Sequence, residues 1–260
     1  MCTLVVLYRP DERWPLIVAA NRDEMLSRTW KAPGRHWPDR PHVVAGLDKE
    51  AGGSWLGIND DGLVAAVLNR VGSLGAQAGK RSRGELVLEA LDHAEASDAA
   101  EAMTALNPDA YRSFNLFVAD SQQAYWLRHD GEAGRGIEAA PLPEGLSMIT
   151  AHDRNDVESP RIRDYLGRFA QAPVPDPESG NWEAWTALMA SRHHDPAAGP
   201  LGAMTVTGDQ GFGTSSSALI ALPAPSASLP AAGEDQGQKP IFLFAPGPPD
   251  RTIYGSVPLA

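Results

Sequence analysis

Cysteine occurs once in the 260 residues, at position 2. A lone cysteine cannot close an internal disulfide, which fits a reducing cytoplasm. Long apolar runs are missing as well: nothing approaches the ~18–20 residues that cross a bilayer, so no integral membrane association is expected. A leader peptide is not expected either, because no basic stretch opens the chain and Arg9, Asp11, Glu12 and Arg13 interrupt its first apolar residues. Positive charge is scarce, with 22 Lys and Arg against 33 Asp and Glu and a net charge of −11. That balance argues against nucleic acid or an anionic membrane surface as partner. What remains is an acidic, soluble, cytoplasmic protein.

Apolar residues make up 43% of the chain, enough over this length to bury a large core. Thr3–Arg9 reads as a β-branched, apolar strand, Pro10–Arg13 as a turn and Pro15–Ala20 as a second strand. This hairpin would return Asn21-Arg22-Asp23-Glu24 to the side of residues 2 and 3. Residues 25–45, broken by Pro33, Pro38 and Pro41, read as a long irregular loop. A second hairpin follows, from Gly52–Ile58 through the Asn59–Gly62 turn to Leu63–Leu68, and ends on Asn69-Arg70.

Gly72–Lys80 is glycine-rich and ends in Gly-Lys, but it lacks phosphate-loop spacing and has Arg81 where Ser or Thr should stand, so that reading is rejected. Ser82–Glu85 has capping-box form and predicts a helix to His93, and a second helix is predicted over Asp98–Leu106. Ser113–Ala119 and Gln123–Arg128 read as a third hairpin, with short strands near Ile137 and over Leu146–Thr150. Ser159-Pro160 opens a helix to Phe169, and Asn181–Ser191 carries Trp182, Trp185 and Leu188 at helical spacing. Ser215–Leu222 and Ile241–Phe244 read as a final strand pair, joined by a loop over 223–239 too poor in apolar residues to be ordered. The order predicts one α+β domain over residues 1–260, with antiparallel sheets and helices on the outer faces.

The chemistry centres on Cys2. Removal of Met1 would expose an α-amine with a pKa near ~7.7–8.0 beside a thiol near ~8.5. One residue would then hold both nucleophile and general base. Arg22 is placed to favour a thiolate and Asp23 to orient the ammonium. Adjacent His193-His194 would point apart and lack a third ligand at metal spacing, so no metal is expected. His36 and Trp37 are candidates for a pocket rim.

Met1-Cys2-Thr3 followed by a strand, a turn and Asn21-x-Asp23 resembles the opening of choloylglycine and penicillin V acylases. Gly57–Asn69 is similar to the hairpin that carries an oxyanion-hole Asn there. The resemblance implies a four-layer αββα N-terminal-nucleophile hydrolase fold. It also implies Cys2 as nucleophile, Asp23 as partner of the α-amine and Asn69 as oxyanion donor. Arg22 would supply a charge from the same strand face, and His152 or Asn155 a second donor. A closer resemblance is to the NRDE family, relatives of the Transport and Golgi organisation two protein. It rests on Asn21–Glu24, Gly52–Gly57, Ser82–Leu86, Phe114–Leu116 and Gly213–Ser217.

On this reading Cys2, Arg22, Asp23 and Asn69 are catalytic, and Asn21, Glu24, His36, Trp37, Trp55 and His152 contact substrate. The expected reaction is hydrolysis or acyl transfer at an amide of a small apolar acyl compound, without a cofactor. The alternative is a carrier or chaperone that binds haem or an acyl-lipid without turnover, as the family resemblance suggests.

Overall fold

The computed structural model describes residues 2–132, 134–208, 211–225 and 238–259. β1 (Thr3–Tyr8) and β2 (Leu16–Met25) pair antiparallel, with Thr3 opposite Asn21 and Tyr8 opposite Leu16. β1 and the first half of β2 are apolar on both faces because each face has a core. Leu4, Val6, Leu16 and Val18 enter a layer between two sheets, whereas Val5, Leu7, Ile17 and Ala19 enter a layer under helices.

β2 does not stop at Ala20, as local composition predicts, but continues through Asn21–Met25. The extension is held by β11 (Phe212–Leu222), whose Phe212–Thr214 lie opposite Met25–Asp23. A partner almost 190 residues away overrides the poor strand propensity of Asn, Asp and Glu. The charged motif is therefore itself strand, and its side chains alternate between the two faces.

Six strands form the first sheet in the order β10 (Gly145–Ile149), β1, β2, β11, β12 (Ile241–Ala245), β13 (Gly255–Ser256). The second sheet is a sequential meander of seven: β3 (Trp30–Gly34), β4 (Val43–Asp48), β5 (Leu56–Asn59), β6 (Val64–Asn69), β7 (Phe114–Ala119), β8 (Ala124–His129) and β9 (Glu138–Pro141). Every pairing between these strands is antiparallel. Leu4, Val18 and Ile220 of one sheet meet Val44, Leu68 and Phe117 of the other. Outside the meander, α1 (Gly84–Ala90) and α2 (Ala96–Thr104) bury Leu86, Val87 and Met103. Outside the six-stranded sheet, α3 (Pro160–Gln171) and α4 (Glu183–Met189) bury Ile162, Tyr165, Phe169 and Trp185. The layers run helix, sheet, sheet, helix.

Three local expectations are corrected. Residues 25–45 are not one irregular loop but hold β3 and the start of β4. β3 is a sheet edge, where Pro33 costs little, and its register slips between Lys31 and Gly34. The capping box does not form: Arg83 is the N-cap of α1 without a side-chain bond, and Glu85 pairs with Arg81 at 2.6 Å instead of reaching back. That helix also stops short of His93, because the carbonyls of Leu91 and His93 accept from Asn59 Nδ2 at 3.0 and 2.7 Å. α3, by contrast, opens on Ser159, whose hydroxyl accepts from the Ile162 amide. The loop predicted over 223–239 lies outside the described residues from 226 to 237. No helix among the described residues is long and apolar enough to cross a membrane.

Candidate active site

Alternation along β2 divides its motif. Arg22 and Glu24 face the space between the sheets, and Asn21 and Asp23 face the helices. Arg22 is buried and held on several sides. Its Nη1 donates to Ser215 Oγ at 3.1 Å, and its guanidinium lies 4.5 Å above the Trp55 ring. Its Nη2 stands 3.7 Å from Asp48 and 3.9 Å from Glu24. Ser215 reaches Arg22 because β11 bulges between Thr214 and Ser216, and its hydroxyl donates back to the Arg22 carbonyl at 3.1 Å. Desolvation lowers the Arg22 pKa, with the acidic neighbours opposing it.

Cys2 lies just before β1, half-buried against the inter-sheet core. Its Sγ donates to the Asp23 carbonyl at 3.6 Å. Burial pushes the thiol above its ordinary pKa, the Asp23 carboxylate acts in the same direction, and Arg22 opposes both. The thiol sits between two spaces. On one side is a narrow slot of about 20 Å³ walled by Leu4, Ala20, Leu56, Ala66 and Leu68. On the other is a chamber of about 250 Å³ lined by Glu24, Asn69 and several basic residues. Cys2, Arg22, Trp55 and Val67 belong to both walls.

On the helix side of β2, the Asp23 carboxylate accepts from Thr214 Oγ1 at 2.7 Å and from Arg161 Nη1 at 2.9 Å. Arg161 Nη1 also donates to Thr3 Oγ1, so β1, β2, β11 and α3 meet at one buried ion pair. Asn21 donates from Nδ2 to the carbonyls of Met189 and Met204 at 3.0 and 2.9 Å. That amide pins the chain after α4 beneath the site.

The facing wall depends on glycines. A Cβ on Gly46 would come within 2.4 Å of the Trp55 ring, so glycine there admits the indole on which Arg22 rests. A Cβ on Gly53 would lie 2.4 Å from the Gly84 carbonyl carbon. This contact joins the Gly52–Trp55 turn to the start of α1 and sets Arg83 beside the chamber. At the cleft end, Asn115 is fully buried and donates from Nδ2 to the carbonyls of Thr150 and His152, both at 2.9 Å. Its Oδ1 accepts from Arg70 at 2.7 Å, and Arg70 pairs with Asp153 at 2.7 Å. The turn after β10 is thereby locked onto β7.

The structure thus gathers Cys2, Arg22, Glu24, Trp55 and Asn69 around one cavity, with Asn21 and Asp23 behind them. It does not bring His36, Trp37 or His152 into that lining. His36 and Trp37 stack edge-to-face at 5.7 Å, with Trp37 Nε1 donating to the Gly52 carbonyl. Asn155, the alternative second donor, takes a left-handed backbone (φ 56°) and accepts from the Met148 amide at 2.7 Å. No group of three or more His, Cys, Asp or Glu residues suited to a metal occurs among the described residues.

Arg161, Asn115 and Arg83 were not singled out as site residues by sequence reasoning. Arg161 left a signal: it stands four residues before Tyr165 on the stripe that continues to Phe169, a charge on an apolar face. Asn115, within the apolar run Phe114–Ala119, left a similar one.

Comparisons place this geometry. A model of the Transport and Golgi organisation 2 family matches residues 1–222. A human Transport and Golgi organization protein 2 homolog is 36% identical over 132 residues, 48% of this chain and 47% of that one. The Bos taurus homolog is 34% identical over 158 residues, 56% of each chain. The matched stretch thus spans about half the length of these curated relatives. Among solved structures, a Caenorhabditis elegans N-acylethanolamine-hydrolyzing acid amidase ortholog superposes with a TM-score of 0.56 at 12% identity, covering 87% of this chain and 95% of that one. A conjugated bile acid hydrolase from Clostridium perfringens gives 0.52 at 12% identity, covering 98% and 96%. The fold is that of the N-terminal-nucleophile hydrolases, four layers in αββα order. The chain belongs to the Transport and Golgi organisation 2 family.

Proposed function

We propose that this protein hydrolyses, or transfers the acyl group of, an amide with a small apolar acyl part, using Cys2 as nucleophile. The observation that carries the reading is the position of the thiol, at the junction of an apolar slot and a polar chamber that has Asn69 in its wall. The two acylase-type neighbours support the same reading at the level of fold.

Because burial raises the thiol pKa, the sulfur needs a base close by. Removal of Met1 supplies one in the α-amine of Cys2 itself. The thiol proton passes to that amine as Sγ bonds to the amide carbonyl carbon, and Asn69 donates to the oxyanion that forms. The ammonium then protonates the leaving nitrogen, the C–N bond breaks, and an amine departs from a thioester. Water adds to the thioester with its proton taken by the α-amine. The C–S bond breaks, sulfur recovers its proton, and the acid leaves. An acceptor amine in place of water gives acyl transfer.

Cys2→Ser should abolish turnover of short acyl amides, measured with protein whose intact mass shows loss of Met1. Asn69→Ala should cost about 10²–10³ in kcat, as for removal of one oxyanion donor. Turnover that survives Cys2→Ser, or active protein that quantitatively retains Met1, removes the catalytic reading. Ligand binding without any turnover would favour a carrier of haem or an acyl-lipid in the same cleft.

A further inference from the structure

The basic residues around the chamber fall into two groups. Arg28 pairs with Asp48 at 2.7 Å, Arg81 with Glu85 at 2.6 Å and Glu89 at 2.5 Å, and Arg22 lies near Asp48 and Glu24. Arg83, Arg112 and Lys80 line the same chamber and have no carboxylate partner among the described residues. In a chain with 33 acidic residues, three neighbouring cations without one stand out from their surroundings.

They are held by neutral oxygens. Arg83 Nη1 donates to Ser73 O at 2.7 Å, Ser73 Oγ at 2.8 Å and Ser113 O at 3.0 Å. Arg112 donates to Gly72 O and Leu74 O at 2.8 Å each, and Lys80 Nζ to Asp109 O at 2.5 Å. Arg83 Nη2 and Arg112 Nη1 converge on one carbonyl, that of Gly75, at 3.4 and 3.2 Å. Two like charges sharing one acceptor repel each other. Burial first, and Arg112 next, bring the Arg83 pKa down to about 10. Neither Arg83 Nε nor Arg112 Nε donates to any described residue, so each guanidinium keeps donors on the edge that grips an oxyanion in bidentate fashion.

We infer that Arg83, Arg112 and Lys80 form a subsite for an anionic oxygen group, a carboxylate or a phosphate, on the amine half of the substrate. The inference rests on the hydrolase reading for which half is which. The slot of about 20 Å³ is apolar and has room for little beyond a water-sized group, so the acyl end faces its mouth, and the chamber of about 250 Å³ takes the larger, charged amine portion. An oxyanion there relieves the repulsion between the guanidiniums and compensates charge that carbonyl dipoles only partly offset.

The test uses the full-length protein and substrate pairs that differ in charge. The first pair is N-propionylglycine and N-propionylglycinamide; the second is N-propionylphosphoethanolamine and N-propionylethanolamine. The charged member of one pair should have the higher kcat/KM by about 10- to 100-fold, the range for charge-assisted hydrogen bonds, with the advantage shrinking as salt is raised. Whichever pair shows it assigns carboxylate or phosphate. Arg83→Gln and Arg112→Gln should each collapse that ratio, Arg112→Lys should retain part of it, and circular dichroism with the Tm reports that each variant is folded. Calorimetric binding of the same pairs to the Cys2→Ser protein separates the two ideas. Charge-selective binding without wild-type turnover removes the hydrolase reading and keeps the subsite. Turnover without charge preference, a ratio that survives both Gln variants, or no binding of either charged ligand overturns the subsite.

Discussion

Arg161 and Asp23 meet where both are almost wholly buried, at 3% and 0% side-chain exposure. A buried pair need not add net stability, but removing one partner leaves a charge in a medium that solvates it poorly. Arg161→Met should therefore cost about 3–5 kcal/mol by urea unfolding, far above the ~1 kcal/mol of an ordinary surface change. A loss within surface range would mean that Asp23 is sustained without the guanidinium. The pair also explains what sequence could reveal at this scale. Cys2, Arg22 and Asp23 share one hairpin, and Asn69 ends the next, so a reading by strand and turn finds them. Arg161 comes from a helix 138 residues beyond Asp23, and only tertiary packing brings them together.

Strands and turns were legible wherever local composition and tertiary pairing agree, as in β1, β6, β7 and β8. They were obscured where the two disagree. β3 contains a proline and is half-exposed, so its pattern is that of a loop until the register with β4 is known. The end of β2 is charged, and only β11 makes it a strand. The same scale governs Trp55, whose ring is admitted by Gly46 on the adjacent strand β4. Gly46→Ala should displace the indole, because the new methyl group has no room at 2.4 Å. A destabilisation of about 1–3 kcal/mol should follow, the usual range for overpacking, with a shift in tryptophan emission and weaker turnover as Arg22 loses its platform. Unchanged emission and stability would show that β4 gives way instead.

At the scale of the whole molecule, the C-terminal segment is tied back by Tyr254, whose hydroxyl lies 2.6 Å from Ser217 Oγ on β11. Burial pushes the Tyr254 pKa from 10.0 to about 12, with the Ser217 bond opposing the shift. The folded state thus holds this proton more tightly than the unfolded chain does. Its contribution is full below pH 10 and is lost as pH rises towards about 12. Arg83, shifted downward, contributes with the opposite slope, so the informative quantity is a difference. Between pH 9 and 11, roughly the span in which an unfolded tyrosine titrates, the Tm of wild type should fall more steeply than that of Tyr254→Phe. Parallel curves would mean that Tyr254 ionises as it does in the unfolded chain.

The meander pairs each strand with its successor, whereas the other sheet waits for residues near both ends of the chain. Neighbouring strands close short loops at small entropic cost, and β2 with β11 must close one of almost 190 residues. During synthesis the seven-stranded sheet can therefore form while β11 is still unmade, leaving the hairpin that bears Cys2 with an open edge. Cys2 is thus translated well before the sheet around it is complete. Any reagent that reaches the thiol of the open hairpin has its opportunity in that interval, before β11 takes its place beside β2.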